Sequence, residues 1–588
     1  MNSDRKRTPK YITFALILNT VALALSLVVY RPFFETNDDA VFCLIAEGVH
    51  GVREPHIISA DTILGRIYMF LYGIISGIRW HSVLQYLFMF VGYTALAYLI
   101  QVISDPKGEG GKCLMWGRIV AVLVSAMTFY ESYVSLQFSK TGAIVCAAGC
   151  FILMYVLISG NRIPSRTLYF IAVILIIYGM LLRSASFKLV LLLLFPVGLY
   201  EIIAVFKREK RISKSLLGFV VTAVSLFALS VLFGRLNLIS YDNDPAWKDF
   251  MAYHSAVVRL VDKRYDFLDQ SKYADELDKL GVSANDSVMI MTWQFGDDNV
   301  WSRDELLKIA GKAPEKSFGI EDIKGLIQSI YDDVLIFNPC ILGVLLLMIY
   351  SIYVYFKGRR FGKAAVIISQ VVVISGIFVF YRYSGRWSHR IVFAALLVFL
   401  LGMVWMLAED RGLLPVDEAQ GDISGRGDDT GVITGMIVLV LTACIAVLLG
   451  NRFDYNDYKR SGTDYPGFYE SISGDKETLY VADTFTFQDA YKYDVFKSYA
   501  MGSMDNFVTV GSWYLNSPIT DKMLSAYGYD NPFDALVKGA DTGNVILVDN
   551  MSANEKLTYL NEHYGGYELE ELPQKFGFKM YRVVNAAK

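Results

Sequence analysis

Two adjacent aspartates, Asp38 and Asp39, stand in the stretch Glu35-Thr36-Asn37-Asp38-Asp39, just after a long apolar run that ends at Tyr30. Carboxylates so close to hydrocarbon are unfavourable unless they act or are paired. A carboxylate within hydrogen-bond reach of a hydroxyl can serve as a general base. The same first polar stretch carries Arg53, His50 and His56. Further along, basic residues punctuate the ends of apolar runs: Lys140 in QFSKTG, Arg183 and Lys188 in RSASFK, Arg386 and Arg390 in SGRWSHR. Fixed cations of this kind can stabilise a departing anion, and arginine suits bidentate contact with phosphate. Each also fits a plainer role: the aspartates as the cap of a surface helix whose N-terminus they favour electrostatically, the cations as interfacial anchors. The pair Asp297-Asp298 reads as a loop turn, and His50 and His56 have no metal spacing.

The elements that must position these groups follow from composition. The chain has 588 residues, of which 54% are hydrophobic and 19% charged. Ordinary soluble domains carry about 25% charged residues. The net charge of −3 gives no reason to expect a nucleic-acid partner. Six cysteines, none in a CxxC pair, read as small buried hydrophobes.

Residues 11–30 are long enough to span a bilayer, and Arg5, Lys6, Arg7 and Lys10 before them hold the N-terminus inside. Further spans read as 81–103, 116–131, 142–159, 168–182, 188–206, 215–234, 334–356, 364–382, 390–408 and 432–449. The expectation is a polytopic α-helical membrane protein of about eleven helices, N-terminus inside and C-terminus outside. Lys and Arg concentrate in the turns that this topology puts inside; the loop 409–431, mostly acidic, reads as a flexible linker. Residues 31–80, 235–333 and 450–588 then lie outside. Within the first, 39–49 and 63–78 read as helices lying on the membrane face. The insert 235–333 carries helix starts at Ser302-Arg303-Asp304-Glu305 and Ser283-Ala284-Asn285-Asp286. The tail from 450 onward reads as an α/β domain, with strands at 478–483, 544–550 and 576–584 and a helix at 553–565. The division expected is a transmembrane domain, 1–449, and an extracytoplasmic domain, 450–588.

The order of span, external acidic pair, surface helix, Pro-containing turn, second surface helix and span resembles the GT-C superfamily of polytopic glycosyltransferases. Protein O-mannosyltransferases and the lipid A aminoarabinose transferase belong to it. Asn37-Asp38-Asp39 matches its Asp-Glu or Asp-Asp signature, and the second surface helix matches ILGRIYMFLYGIISGIRW. The resemblance covers the first hundred or so residues best; no WWD-type motif of the oligosaccharyltransferases occurs in the tail. The whole chain is also similar to uncharacterised multi-spanning proteins of Gram-positive bacteria, which implies the bacterial plasma membrane. The resemblance implies an inverting transferase with Asp38 as base and Asp39 positioning it or binding a metal. A divalent cation such as Mg or Mn would need more oxygen ligands than the first loop offers, so no metal ligand is assigned.

Nucleotide sugars stay in the cytoplasm, so an external reaction needs a polyprenyl-phosphate sugar as donor and a surface glycan, lipid or protein as acceptor. Arg183, Lys188, Lys140, Arg386 and Arg390 are then the expected phosphate contacts, and Glu35, Arg53 and His56 the substrate loop. A transporter or flippase of lipid-linked glycans, or a non-catalytic envelope assembly protein, are the other classes. Spans nearly free of carboxylates weigh against transport.

Overall fold

Away from water a backbone must satisfy its own N–H and C=O groups, so the long apolar runs become helices. The computed structural model describes residues 2–105, 110–158, 165–210, 212, 214–314, 319–332, 340–408, 437, 440, 441, 444, 445 and 462–586. Among them, eight helices are long and apolar enough to cross a membrane: Pro9–Val28, Trp80–Ser104, Cys113–Val134, Phe138–Ile158, Ser184–Lys207, Leu216–Asp242, Phe361–Tyr383 and His389–Leu407. Arg166–Leu182 and Gly343–Lys357 are shorter apolar helices at two more of the expected spans. The expected span 432–449 and the loop 409–431 lie outside the described residues, apart from a few positions of the former.

In chain order the helices that build the site are α1 (Asn2–Val28), α2 (Asn37–Glu47), α3 (Thr62–Ile74), α4 (Trp80–Ser104), α5 (Gly111–Phe129), α6 (Phe138–Ile158), α7 (Ser165–Leu182), α8 (Ser184–Glu209), α9 (Lys214–Asp242) and α10 (Pro245–Val257). The helices expected at 39–49 and 63–78 are α2 and α3, and α2 is largely buried. At the centre is α6, buried over nearly its whole length. It meets α7 through small residues: a Cβ at Gly149 would lie 2.7 Å from the Ala172 carbonyl oxygen. Without a hydrophobic driving force between helices in lipid, such close approach supplies the packing energy. Two π-helical turns, Tyr130–Val134 after α5 and Val258–Asp262 after α10, were not legible in the sequence. Between α1 and α2 the chain forms a two-residue strand β1 (Phe33–Phe34), which pairs in parallel with β2 (Ser135–Leu136).

The tail carries β3 (Leu479–Ala482), β4 (Phe507–Thr509), β5 (Val545–Val548), β6 (Tyr567–Lys575) and β7 (Phe578–Asn585), in the sheet order β4-β3-β5-β7-β6. β3 runs parallel to β4 and β5, whereas β7 is antiparallel to β5 and β6. The expected strands are β3, β5 and β7, and the expected helix is Ala553–His563. β6 escaped notice because YELEELPQK is mostly exposed and lacks the apolar content of a buried strand.

In the insert, Ser283 and Asp286 cap each other reciprocally, and Ser302 accepts from the Glu305 N–H. Met289, Trp301 and Leu306 of the insert share one hydrophobic core with Leu479, Val508, Leu536 and Tyr559 of the tail. A division at 449/450 therefore separates two segments that pack as one body.

The first loop is gripped between the helices and the tail. Arg79, at the start of α4, pairs with Glu47 at the end of α2, Nε to Oε1 at 2.8 Å, with both side chains buried. Glu47 also accepts from the Tyr499 N–H at 3.2 Å, and Arg79 donates to the Asp494 carbonyl at 2.6 Å. The Gly502 and Met504 N–H groups donate to Gly48 and Val49. Removing one partner of such a buried pair strands the other charge, at about 3–5 kcal/mol. Arg79→Met is expected to lower the melting temperature and speed hydrogen exchange over 494–504. The double change Glu47→Leu/Arg79→Met should recover part of the loss. Unaltered exchange in the single variant would contradict this role.

Candidate functional site

The aspartate pair divides at once. Both residues lie in the first turn of α2, whose N-cap is Thr36, so neither is the capping residue. Asp39 is fully buried. It accepts from the Phe138 N–H at 3.1 Å on both carboxylate oxygens and from Gln85 Nε2 at 3.0 Å, and its Oδ1 lies 2.9 Å from His81 Nε2. Phe138 opens α6, so Asp39 supplies the anion that the positive end of that helix favours. Gln85 in turn accepts from Thr141 of α6 at 2.7 Å. Asp39 thereby ties α2, α4 and α6 together, a positioning role. Hydrogen-bond donors face its carboxylate, and that surrounding does not suit a cation.

Asp38 faces the other way, into a cavity of about 570 Å³. The wall comes from α2, the turn at Ile58 and Ser59, the start of α6, the α7–α8 turn, the π-helical turn at Val258–Asp262, the stretch 385–391 and the tail residues Trp513 and Tyr514. Three arginines line it, Arg183, Arg386 and Arg390, against two carboxylates, Asp38 and Asp262. Arg390 Nη1 lies 3.5 Å from Asp38 Oδ2. Arg386 forms an ion pair with Asp262, so its charge is matched from the insert side. Arg183 donates to the Ser59 carbonyl at 3.4 Å and lies over the Phe138 ring.

Burial pushes the Asp38 carboxyl above its ordinary range; the charge of Asp39 adds to the shift, and Arg390 and Arg183 oppose it. Burial, then the like charge of Arg390, pulls the Arg183 guanidinium down to about 10. It remains a cation at neutral pH, in a wall where cations outnumber anions. His254, also on the wall, is pulled down to about 4, mainly by burial, and is therefore neutral.

The other expected site residues lie elsewhere. Lys140 is fully buried, paired with Glu35 and with Glu131 at 2.6 Å, and donates to Ser135 at 3.2 Å. Two carboxylates already match its charge, which corrects the expectation of a phosphate contact. Glu35 is its partner rather than a substrate ligand. Lys188 is exposed on α8 and does not line the cavity. Arg53 donates to the Glu47 carbonyl at 3.3 Å and packs on Tyr72. His56 pairs with Glu54 at 3.1 Å and packs at a tilt against Trp247, away from the cavity wall. Asp297-Asp298 forms the expected turn, with Asp297 accepting from Tyr559 and Tyr564.

Sequence reasoning missed Asp262, His254, Trp387, Trp513 and Tyr514. Trp387 sits inside SGRWSHR between two arginines that were noted; the others reach the cavity only through tertiary packing of the insert and tail. The donor set does not fit a divalent cation, because arginines crowd Asp38 and N–H groups saturate Asp39. Among the described residues one group has metal-like geometry, Asp286, Glu562 and His563, and none of the three lines the cavity.

The split between the aspartates is testable. Asp39→Asn turns an amide NH2 toward N–H donors and is expected to cost about 1–3 kcal/mol of stability. Asp38→Asn should melt close to wild type in thermal unfolding of the detergent-solubilised protein. Equal losses in both would contradict the division of roles.

Comparisons of the chain with protein-family models, curated proteins and solved structures return no match.

Proposed function

We propose that the chain is a membrane-embedded glycosyltransferase of GT-C type, working on the outer face of the bacterial plasma membrane. In this reading it has about eleven spans and moves a sugar from a polyprenyl-phosphate donor to an external acceptor. The observation that carries the reading is the pairing, in one cavity, of a carboxylate with a raised proton affinity and a wall with excess cationic charge. A base and an anion site side by side are what displacement at a sugar phosphate requires.

The acceptor O–H gives its proton to the Asp38 carboxylate as the oxygen attacks the anomeric carbon. The bond from that carbon to the phosphate oxygen breaks, and the electron pair leaves with the polyprenyl phosphate. Arg183 and Arg390 stabilise the charge that develops on the phosphate, and the configuration at carbon inverts. Arg390, already beside Asp38, holds phosphate and base in register. No step requires a metal.

Asp38→Asn in lipid nanodiscs is expected to reduce transfer by about 10²–10⁴-fold with insertion unchanged. Loss of the base as pH falls through the raised Asp38 value should slow the wild type. The acid limb of the rate profile should therefore lie above the ordinary aspartate value of about 3.9. A deletion strain should accumulate the polyprenyl-phosphate sugar. Full activity in Asp38→Asn, or movement of a lipid-linked glycan with no covalent product, would overturn the reading.

A further inference from the structure

The tail domain does more than cover the first loop. β3 and β4 run parallel, and α/β sheets bind ligands in the crevice beyond the carboxyl ends of such strands. The chain leaving that end of β4 reaches Trp513 and Tyr514, which line the same cavity as Asp38.

The turn that carries them is tightly determined. Trp293 of the insert has a left-handed backbone, φ 60°, uncommon for a bulky residue. Its carbonyl oxygen lies 1.4 Å from where a Cβ at Gly511 would sit, so only glycine fits there. The Gly296 N–H donates to the Val510 carbonyl at 3.0 Å. These contacts bring the Trp293 ring edge-on to Trp513, with centroids 4.4 Å apart, and His254 to 5.1 Å on the same ring. Tyr514 is fixed separately: its hydroxyl accepts from the Ile58 N–H at 2.5 Å. Backbone strain that survives in a fold is held there by its surroundings, and it concentrates at ligand sites. Here it fixes one half-buried indole at the cavity wall.

The neutral His254 packs on that indole, and the wall of the same cavity carries further uncharged polar groups, Ser59, Ser139, Ser186 and Tyr381. An aromatic ring in a cavity that also offers hydroxyls and an imidazole suits a pyranose ring, whose C–H face packs on π density while its hydroxyls exchange hydrogen bonds. A flexible lipid tail would leave those polar groups unmatched. Arg183 and Arg390 come from the α7–α8 turn and the start of helix His389–Ala408, on the helical body, whereas Trp513 comes from the tail.

We propose that Trp513 is the stacking platform of an acceptor subsite for a pyranose, which makes the acceptor a carbohydrate and the turn 510–516 its specificity element. This rests on reading the cavity as a transferase site with its phosphate at Arg183 and Arg390. A hydroxyl of the sugar that stacks there is the group whose proton passes to Asp38.

The test uses the full chain in nanodiscs, probed with an array of pyranose oligosaccharides and control peptides, and separately with undecaprenyl phosphate followed by native mass spectrometry. Wild type should retain at least one oligosaccharide. Trp513→Leu should weaken that binding about tenfold, whereas Trp513→Tyr, which keeps a stacking face, should retain most of it. Undecaprenyl phosphate binding should be unchanged in both variants and lost in Arg183→Ala/Arg390→Ala. Retention of peptides but no oligosaccharide, or equal oligosaccharide binding in wild type and Trp513→Leu, would overturn the proposal. Undecaprenyl phosphate binding indifferent to both arginines would instead sink the transferase reading, whatever the array shows.

Discussion

The arrangement depends on one buried carboxylate. Asp39 binds the first N–H of α6 while His81 and Gln85 of α4 bind Asp39. Three helices meet at a single anion, and because α6 is the buried centre of the bundle, its start is fixed in position with respect to α2. Adjacent residues in the first turn of a helix project about 100° apart. Fixing Asp39 inward therefore directs Asp38 outward, into the cavity. The neighbour that looks redundant in sequence is what aims the one that faces the cavity.

A second principle sorts the charges. Lys140 with Glu35 and Glu131, and Arg79 with Glu47, are buried and matched. Such groups determine geometry, because unpairing any of them is unfavourable. Around the cavity the matching is incomplete: Arg386 has Asp262 and Arg390 leans on Asp38, while Arg183 lies beside another cation. An anion entering there would complete the wall's charge balance. His389 and Glu131 lie 3.0 Å apart, which links the matched network to the residue next to Arg390.

How much of this was legible depended on whether the signal was local. Apolar runs and helical spacing are local, and they placed the long helices, both short helices of the first loop, the capped starts at Ser283 and Ser302, and three of the tail strands. Phe42, Ile45 and Ala46, at helical spacing, mark α2 because all three are buried. Distant pairing is not local. QFSKTG cannot reveal that Lys140 turns inward to Glu131, nor SGRWSHR that Arg386 meets Asp262 of the insert. Likewise the insert and tail, separated by helical spans, carry no sequence mark of their common core. The tail strands were read one at a time, so nothing indicated that the turn after β4 would reach the cavity that Asp38 faces.

The central claim is that Arg183 and Arg390 hold a lipid phosphate facing Asp38. An experimental structure of the full chain in nanodiscs containing undecaprenyl phosphate addresses it most directly. The account predicts phosphate density within hydrogen-bond reach of both guanidinium groups, with the Asp38 carboxylate open toward the rest of the cavity. A phosphate bound elsewhere, with the two arginines left facing each other across an unchanged cavity, would contradict it.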